Sequence, residues 1–218
     1  MLNKNFIKNI PYFSSLDDEL IKKLVNISRL KKFASGDVLF YEQDGQNEIF
    51  YLYKGSIKFY KVDKYDNEIF LYKILSNSIV FDISKFCDAH IFSSYTNAEF
   101  LEDSEVLVFD NIEFKKLMYD NNSLMSLVLN ESFKMIQRLQ CVISRDIIFD
   151  STAKVANMLV NDLKSFNNSK KHEIAYMLNI QPETLSRILR KLAKNGIIKT
   201  EKNNVKILNL KKLKETYQ

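Results

Sequence analysis

Lys170-Lys171-His172-Glu173-Ile174-Ala175-Tyr176-Met177-Leu178-Asn179-Ile180-Gln181-Pro182-Glu183-Thr184-Leu185-Ser186-Arg187-Ile188-Leu189-Arg190-Lys191-Leu192 decides the fold of the last third of the chain. Ile174, Ala175 and Leu178 recur at helical spacing and give a short helix its inner face. Asn179-Ile180 leaves room only for a tight turn, with Ile180 pointing inward. Pro182 suits the first turn of a second helix, where its missing N–H loses no bond. Leu185, Ile188, Leu189 and Leu192 then face a core, and Asn195-Gly196 stops the helix. Two helices joined so closely form a helix-turn-helix. Ile197-Ile198-Lys199 and Val205-Lys206-Ile207, joined through Glu201-Lys202-Asn203-Asn204, predict a wing hairpin behind it.

Glu183, Ser186, Arg187 and Arg190 share the outward face of the second helix, since residues three and four apart are neighbours there. The first three lie in its opening turns, the part of such a helix that reaches base edges. Arginine can hold guanine O6 and N7 bidentately, a carboxylate accepts from cytosine N4, and serine serves either base. Lys171, His172, Thr184, Arg190 and Lys191 are placed for phosphate, which fixes register without reading sequence. The alternative is a helical hairpin whose charges are merely solvated.

Charge supports the polyanion reading. Residues 151–218 hold fourteen Lys/Arg against five Asp/Glu, and residues 1–150 hold eighteen against twenty-two. A basic last third on a mildly acidic remainder is the pattern of one module meeting nucleic acid.

Upstream, Gly36, Gly45 and Gly55 are almost evenly spaced and separate short β-rich runs: Val38–Tyr41, Ile49–Tyr53, Ser56–Val62, Glu68–Ile74 and Glu105–Phe109. Such runs with turn signals every ten or so residues predict an antiparallel barrel or sandwich. Ser15-Leu16-Asp17-Asp18 predicts a helix start with Ser15 as cap, followed by the apolar face Leu20, Ile21, Leu24, Val25 and Ile27. After the strands, Met125, Val128, Ser132, Met135, Leu139, Val142, Asp146 and Phe149 form an a/d stripe over a predicted helix from Asn121 to Ile148. Its length and pattern suit a dimer coiled coil through Met125, Val128, Met135, Leu139 and Val142. A helix packed on its own barrel is the alternative. Ser151 or Thr152 would cap the next helix, and Ser165–Ser169 would break it.

Composition narrows the function. With 46% hydrophobic and 27% charged residues among 218, the chain reads as globular. Two cysteines and two histidines argue against a disulfide framework, a Cys-rich metal site or a His-based metalloenzyme. No apolar run is long enough to span a membrane, and no signal peptide is evident, so a cytoplasmic, non-membrane protein is expected. No nucleophile–base pair or phosphate loop suggests an enzyme.

The glycine-spaced roll, long helix and winged helix-turn-helix stand in the order of the Crp/Fnr family of bacterial transcription regulators, which the chain resembles over nearly its full length. The resemblance implies an α+β fold: a cyclic-nucleotide-binding-like antiparallel β-roll with an N-terminal helix over 1–120, a dimerisation helix over 121–149 and a winged helix-turn-helix over 150–218. Gln181-Pro182-Glu183-Thr184-Leu185-Ser186-Arg187 is similar to the recognition helix of the Fnr/Dnr branch. It implies a homodimer on a palindromic operator with TTGAT-like half-sites, read by Glu183, Ser186 and Arg187. RNA polymerase would be a further partner of an activator.

The family's cyclic-nucleotide cassette aligns poorly. Its Gly-Glu pair falls at Asp82-Ile83 and its Arg-Ser pair at Ser94-Tyr95, so a cyclic phosphate would meet Asp82 and find no arginine. Its adenine-contacting Thr-Ser falls at Val142-Ile143. Cyclic AMP is not expected, and the Fnr branch's cysteine cluster is missing, so neither is an iron–sulfur cluster. The Dnr-like resemblance implies haem and nitric oxide as the signal. Phe81, Phe86, Phe92, Tyr95, Phe100, Val142 and Ile143 would line an apolar pocket, with Cys87 and His90 offering a thiolate and an imidazole to haem. Two alternatives stay open: a regulator that needs no effector, and a small-molecule signalling module acting through protein partners.

Overall fold

The computed structural model describes residues 2–44, 48–80, 94–201 and 204–217. They separate into two compact units, 1–138 and 139–218.

The first unit opens with α1 (Lys4–Lys8) and α2 (Asp18–Asn26). Its strands are β1 (Ser28–Phe33), β2 (Val38–Phe40), β3 (Glu48–Lys54), β4 (Ser56–Val62), β5 (Glu68–Leu75), β6 (Ser78–Val80), β7 (Asn97–Phe100) and β8 (Ser104–Asp110). Two antiparallel four-stranded sheets result, in the orders β1-β8-β3-β6 and β2-β7-β4-β5. Helices α3 (Asn111–Asp120) and α4 (Asn122–Ile143) follow.

β3 shows how the layers stack. Phe50 and Leu52 point between the sheets to meet Ile57, Phe59, Ile74, Phe100, Val106 and Val108. Ile49 and Tyr51 point to the other face, against Ile7, Phe13, Leu20, Leu24 and Phe114 of the helical layer. Both faces are covered, which is why its sequence is an unbroken apolar run. β4 alternates instead: Ile57 and Phe59 face the core, while Lys58 sits between Glu68 at 2.9 Å and Glu99 at 3.1 Å. Gly55 joins the two strands at φ +104, and any Cβ there would run into Ser104.

Several local expectations are corrected. Asp17, not Ser15, caps α2, its carboxylate accepting from Leu20 N at 2.8 Å. Asp150 rather than Ser151 or Thr152 caps the next helix, accepting from Ala153 N at 2.8 Å. In both places a carboxylate within two residues of the expected hydroxyl takes the free amide of the third helical residue. The strand runs beginning at Val38, Ile49, Ser56, Glu68 and Glu105 are present, and three strands went unread. β1 escaped because Arg29, Lys31 and Lys32 interrupt it; it lies at the end of its sheet, with Glu48 pairing Arg29 and Lys31. Charge of this kind is usual on edge strands.

The long helix is present as α4, continued by one π-helical segment over Ser144–Ile148. Its first turns face inward. Val128 is buried and Met125 packs against the core of the first unit, so these two belong to their own roll. Leu129, Phe133, Ile136, Leu139 and Ile143 are exposed. The open face thus runs one residue on from most of the expected stripe, about 100° round the helix.

The second unit contains α5 (Ser151–Asn161), α6 (Leu163–Asn168), α7 (Lys171–Met177), α8 (Pro182–Lys194), the hairpin β9 (Ile198–Glu201) and β10 (Asn204–Ile207), and α9 (Leu210–Lys214). The break expected at Ser165–Ser169 falls earlier, at Asp162. That residue ends α5 and caps α6 through Ser165 N, while Phe166 is drawn into the core. Asn167 ties α6 to the hairpin, accepting from Val205 N at 2.8 Å and donating to Val205 O at 3.1 Å.

Candidate nucleic-acid interface

The helix-turn-helix is built by two helix ends of one kind. At the end of α7, Ile180 N donates to Ala175 O and Asn179 N to Tyr176 O, both at 3.0 Å. At the end of α8, Ile197 N donates to Leu192 O and Gly196 N to Ala193 O, both also at 3.0 Å. Each is a Schellman motif, with a left-handed residue just past the helix: Asn179 at φ +50 and Gly196 at φ +67. The motif turns the chain sharply enough to start α8 at Pro182 only two residues after Ile180. Glu173 closes the front of α7 by accepting from Lys170 N at 2.8 Å.

Leu185, Ile188, Leu189 and Leu192 are buried against Val155, Leu159, Ile174 and Leu178, which fixes the rotation of α8. Glu183, Arg187 and Arg190 are consequently exposed, with Ser186 half-buried beside them. Among the expected phosphate contacts Lys171, His172 and Lys191 are exposed and Thr184 is half-buried. Among the described residues, no ion pair engages Glu183, Arg187, Arg190 or Lys191. The first three turns of α8 thus present the carboxylate of Glu183, the hydroxyl of Ser186 and the guanidinium groups of Arg187 and Arg190 on a packed scaffold. That set can hydrogen-bond base edges without first breaking an internal pair.

Two features of this unit went unread in the sequence. The wing lysines Lys199 and Lys206 stand directly opposite each other. Asp146, in the π-helical segment, accepts from Arg145, Lys154 and Asn179. The i+2 step from Lys199 to Glu201 could have hinted at the first; nothing in the sequence linked Asp146 to residues so far along.

The expected effector residues are placed only in part. Phe81, Phe86, Cys87, His90 and Phe92 lie outside the described residues, as do Asp82 and Ile83. Tyr95 is exposed, whereas Phe100 is fully buried and stacked on Phe33 at 4.4 Å, a core residue of the roll. Val142 is half-buried, and Ile143 and Cys141 are exposed. Among the described residues no cluster of His, Cys, Asp and Glu suits a metal ion, and no helix is long and apolar enough to cross a membrane.

Residues 30–121 match the family model of the cyclic nucleotide-binding domain, and residues 154–216 match that of the Crp-like helix-turn-helix domain. The two together take in well over half of the chain. It belongs to the Crp/Fnr transcription regulators.

Solved Crp/Fnr-type structures share the fold. A CooA mutant from Carboxydothermus hydrogenoformans is similar at TM-score 0.72 and 18% identity, over 94% of this chain and 92% of that one. A protein from Eubacterium rectale described as a Crp/Fnr-family regulator gives 0.69 and 16%, over 95% and 97%. DNR from Pseudomonas aeruginosa gives 0.50 and 21%, over 98% and 96%. No protein of curated function matches the chain by sequence. Its Crp-like helix-turn-helix domain makes the Crp/Fnr regulator described here a DNA-binding transcription regulator.

Proposed function

We propose that this Crp/Fnr regulator is a homodimer that reads an inverted repeat through the first turns of α8. The observation that carries the reading is the packed but uncommitted face of Glu183, Ser186 and Arg187, flanked by exposed Arg190 and Lys191. Arg187 is assigned to guanine, Glu183 to cytosine N4 and Ser186 to either neighbour. Lys171, His172, Thr184, Arg190 and Lys191 anchor phosphates. The Fnr/Dnr-like arrangement of these residues favours TTGAT-like half-sites.

The dimer seam is assigned to the open face of α4. Leu129, Phe133, Ile136 and Ile143 follow the alternating steps of four and three that a coiled coil requires, with Leu139 alongside. Gln140 takes the one polar place in that seam. Paired recognition helices would then sit about 34 Å apart, on successive turns of the major groove. Such a dimer is expected in the cytoplasm, where the chromosome is, and as an activator it would also contact RNA polymerase.

The signal is assigned to the roll. Haem with nitric oxide is the ligand pair that the Dnr-like resemblance favours, with Cys87 and His90 as ligands; an absorbance spectrum with and without added haem, then with nitric oxide, tests it. A Soret band that shifts with the gas supports the assignment, and absence of a stoichiometric band rejects it. The DNA reading is tested separately by selecting binding sites from randomised duplexes.

A further inference from the structure

Lys199 and Lys206 are Cα partners across the β9–β10 pair. Like charges at directly opposed positions destabilise a hairpin. Glu201 lies two residues beyond Lys199 and so on the same face. Its carboxylate takes both ammonium groups, Lys199 Nζ at 2.9 Å and Lys206 Nζ at 2.7 Å. The hydrogen bonds from Lys206 and Lys199, and their charges, lower its carboxyl to about 2. It is therefore ionised wherever the protein meets DNA.

The reader helix is different. Arg187, Arg190 and Lys191 on α8 have no carboxylate partner among the described residues, whereas both wing lysines share one. The wing carries its own counterion and α8 does not.

We propose that Glu201 is an internal counterion that sets the strength of the wing's phosphate contact, competing with DNA for Lys199 and Lys206 and so weakening binding to every sequence alike. The proposal rests on the DNA-binding reading of the winged helix-turn-helix. All three side chains are solvent-facing, at 62%, 64% and 41% exposure for Lys199, Lys206 and Glu201. Exposed pairs of this kind contribute little to stability, so a phosphate can displace the carboxylate. The affinity of lysine for DNA comes largely from releasing the cations condensed on the phosphates. Two lysines that arrive with one negative charge between them neutralise one phosphate charge fewer. Glu201 makes no approach to base edges in this scheme, so base choice remains with α8.

The test uses the full-length protein and Glu201→Gln. Binding to a selected operator duplex and to a duplex of random sequence is titrated by fluorescence anisotropy between about 50 and 200 mM salt. The variant is expected to steepen the slope of log K against log salt by about 1 per bound chain. It should also tighten both duplexes by the same factor, about fivefold to tenfold per bound chain near 0.1 M salt. Because Glu201 also balances the two lysines, E201Q is repeated in the Lys206→Gln background. There the opposition is gone, and freeing Lys199 should still steepen the slope.

Unchanged slopes in both backgrounds would overturn the proposal and leave Glu201 as a balance within the hairpin. Tightening confined to the selected operator would overturn it as well, by making Glu201 part of base readout. A parent protein that binds neither duplex at any salt would remove the DNA-binding reading itself, and the proposal with it.

Discussion

Asn179 Nδ2 lies 3.4 Å from Asp146 Oδ1, so the turn residue of the helix-turn-helix donates to the segment that follows the long helix. Asn179 holds the left-handed conformation that ends α7, at φ +50. Glycine would do this with less strain, but only asparagine does it while offering an amide. Asp146 also takes Arg145 at 2.5 Å and Lys154 at 3.1 Å. Its carboxylate thereby joins the π-helical segment, α5 and the turn in front of the recognition helix. Burial pushes the Asp146 carboxyl up, but hydrogen bonds and charge from Arg145 and Lys154 outweigh it and hold the group below its ordinary value.

A carboxylate whose folded value is depressed stabilises the fold above its unfolded value and loses that contribution as pH falls through the folded one. Asp146→Asn should therefore cost about 1–2 kcal/mol near pH 7, as loss of hydrogen bonds to a charged group does. The gap from the parent should narrow as the solution is acidified below the ordinary carboxylate range. Denaturant melts at several pH values measure it, and a gap that stays constant to low pH would contradict the assignment. Asn179→Gly, which keeps the turn and drops only the amide, should cost less.

Arg187→Ala should weaken binding by about 1–3 kcal/mol and relax the preference at one base position. Lys191→Ala should weaken all sequences to a similar degree and reduce the salt slope by about 1. Titrations on single-base variants of the selected site separate the two. An equal loss on every variant would remove Arg187 from the readers.

Gly55→Ala places a Cβ against Ser104 on a backbone at φ +104. Strain of this kind costs about 1–3 kcal/mol, so the melting temperature should fall. Gly36→Ala at φ +88 has open space around it and should cost less. If the two were equally destabilising, the clash with Ser104 would not be the cause.

Phe133→Glu puts a charge on the open face of α4 and should shift the protein toward monomer in sedimentation while leaving the roll folded. Val128→Glu, in the buried core of the first unit, should instead lower the yield of folded protein. Were F133E to sediment as the parent does, the seam would lie elsewhere.

Much of this was written in short-range pattern. The Leu185, Ile188, Leu189 and Leu192 spacing and the Asn195-Gly196 stop located α8 because helix period and chain reversal are local properties. The rotation of α4 was not local. Met125, Val128 and Leu139 are equally apolar, and only the roll beneath the first two decides which become core. Asp17 and Asp150 displaced the expected hydroxyl caps because a cap is chosen by where the helix begins, a matter of one or two residues. β1 carries three cations because its place at the end of a sheet tolerates them. The outward face of α8 that carries Glu183, Ser186 and Arg187 could be placed from the sequence, since helix period defines it. Asp146, thirty-three positions from Asn179, could not.

The most direct measurement is selection of binding sites from a randomised duplex library with the full-length protein, followed by the same selection with Arg187→Ala. The expected result is an inverted repeat with half-site centres about one helical turn apart, a guanine–cytosine pair fixed in each half by the parent and relaxed by the variant. Recovery of no common sequence, or of the same sequence at unchanged stringency with R187A, would contradict the assignment of α8 as the reader.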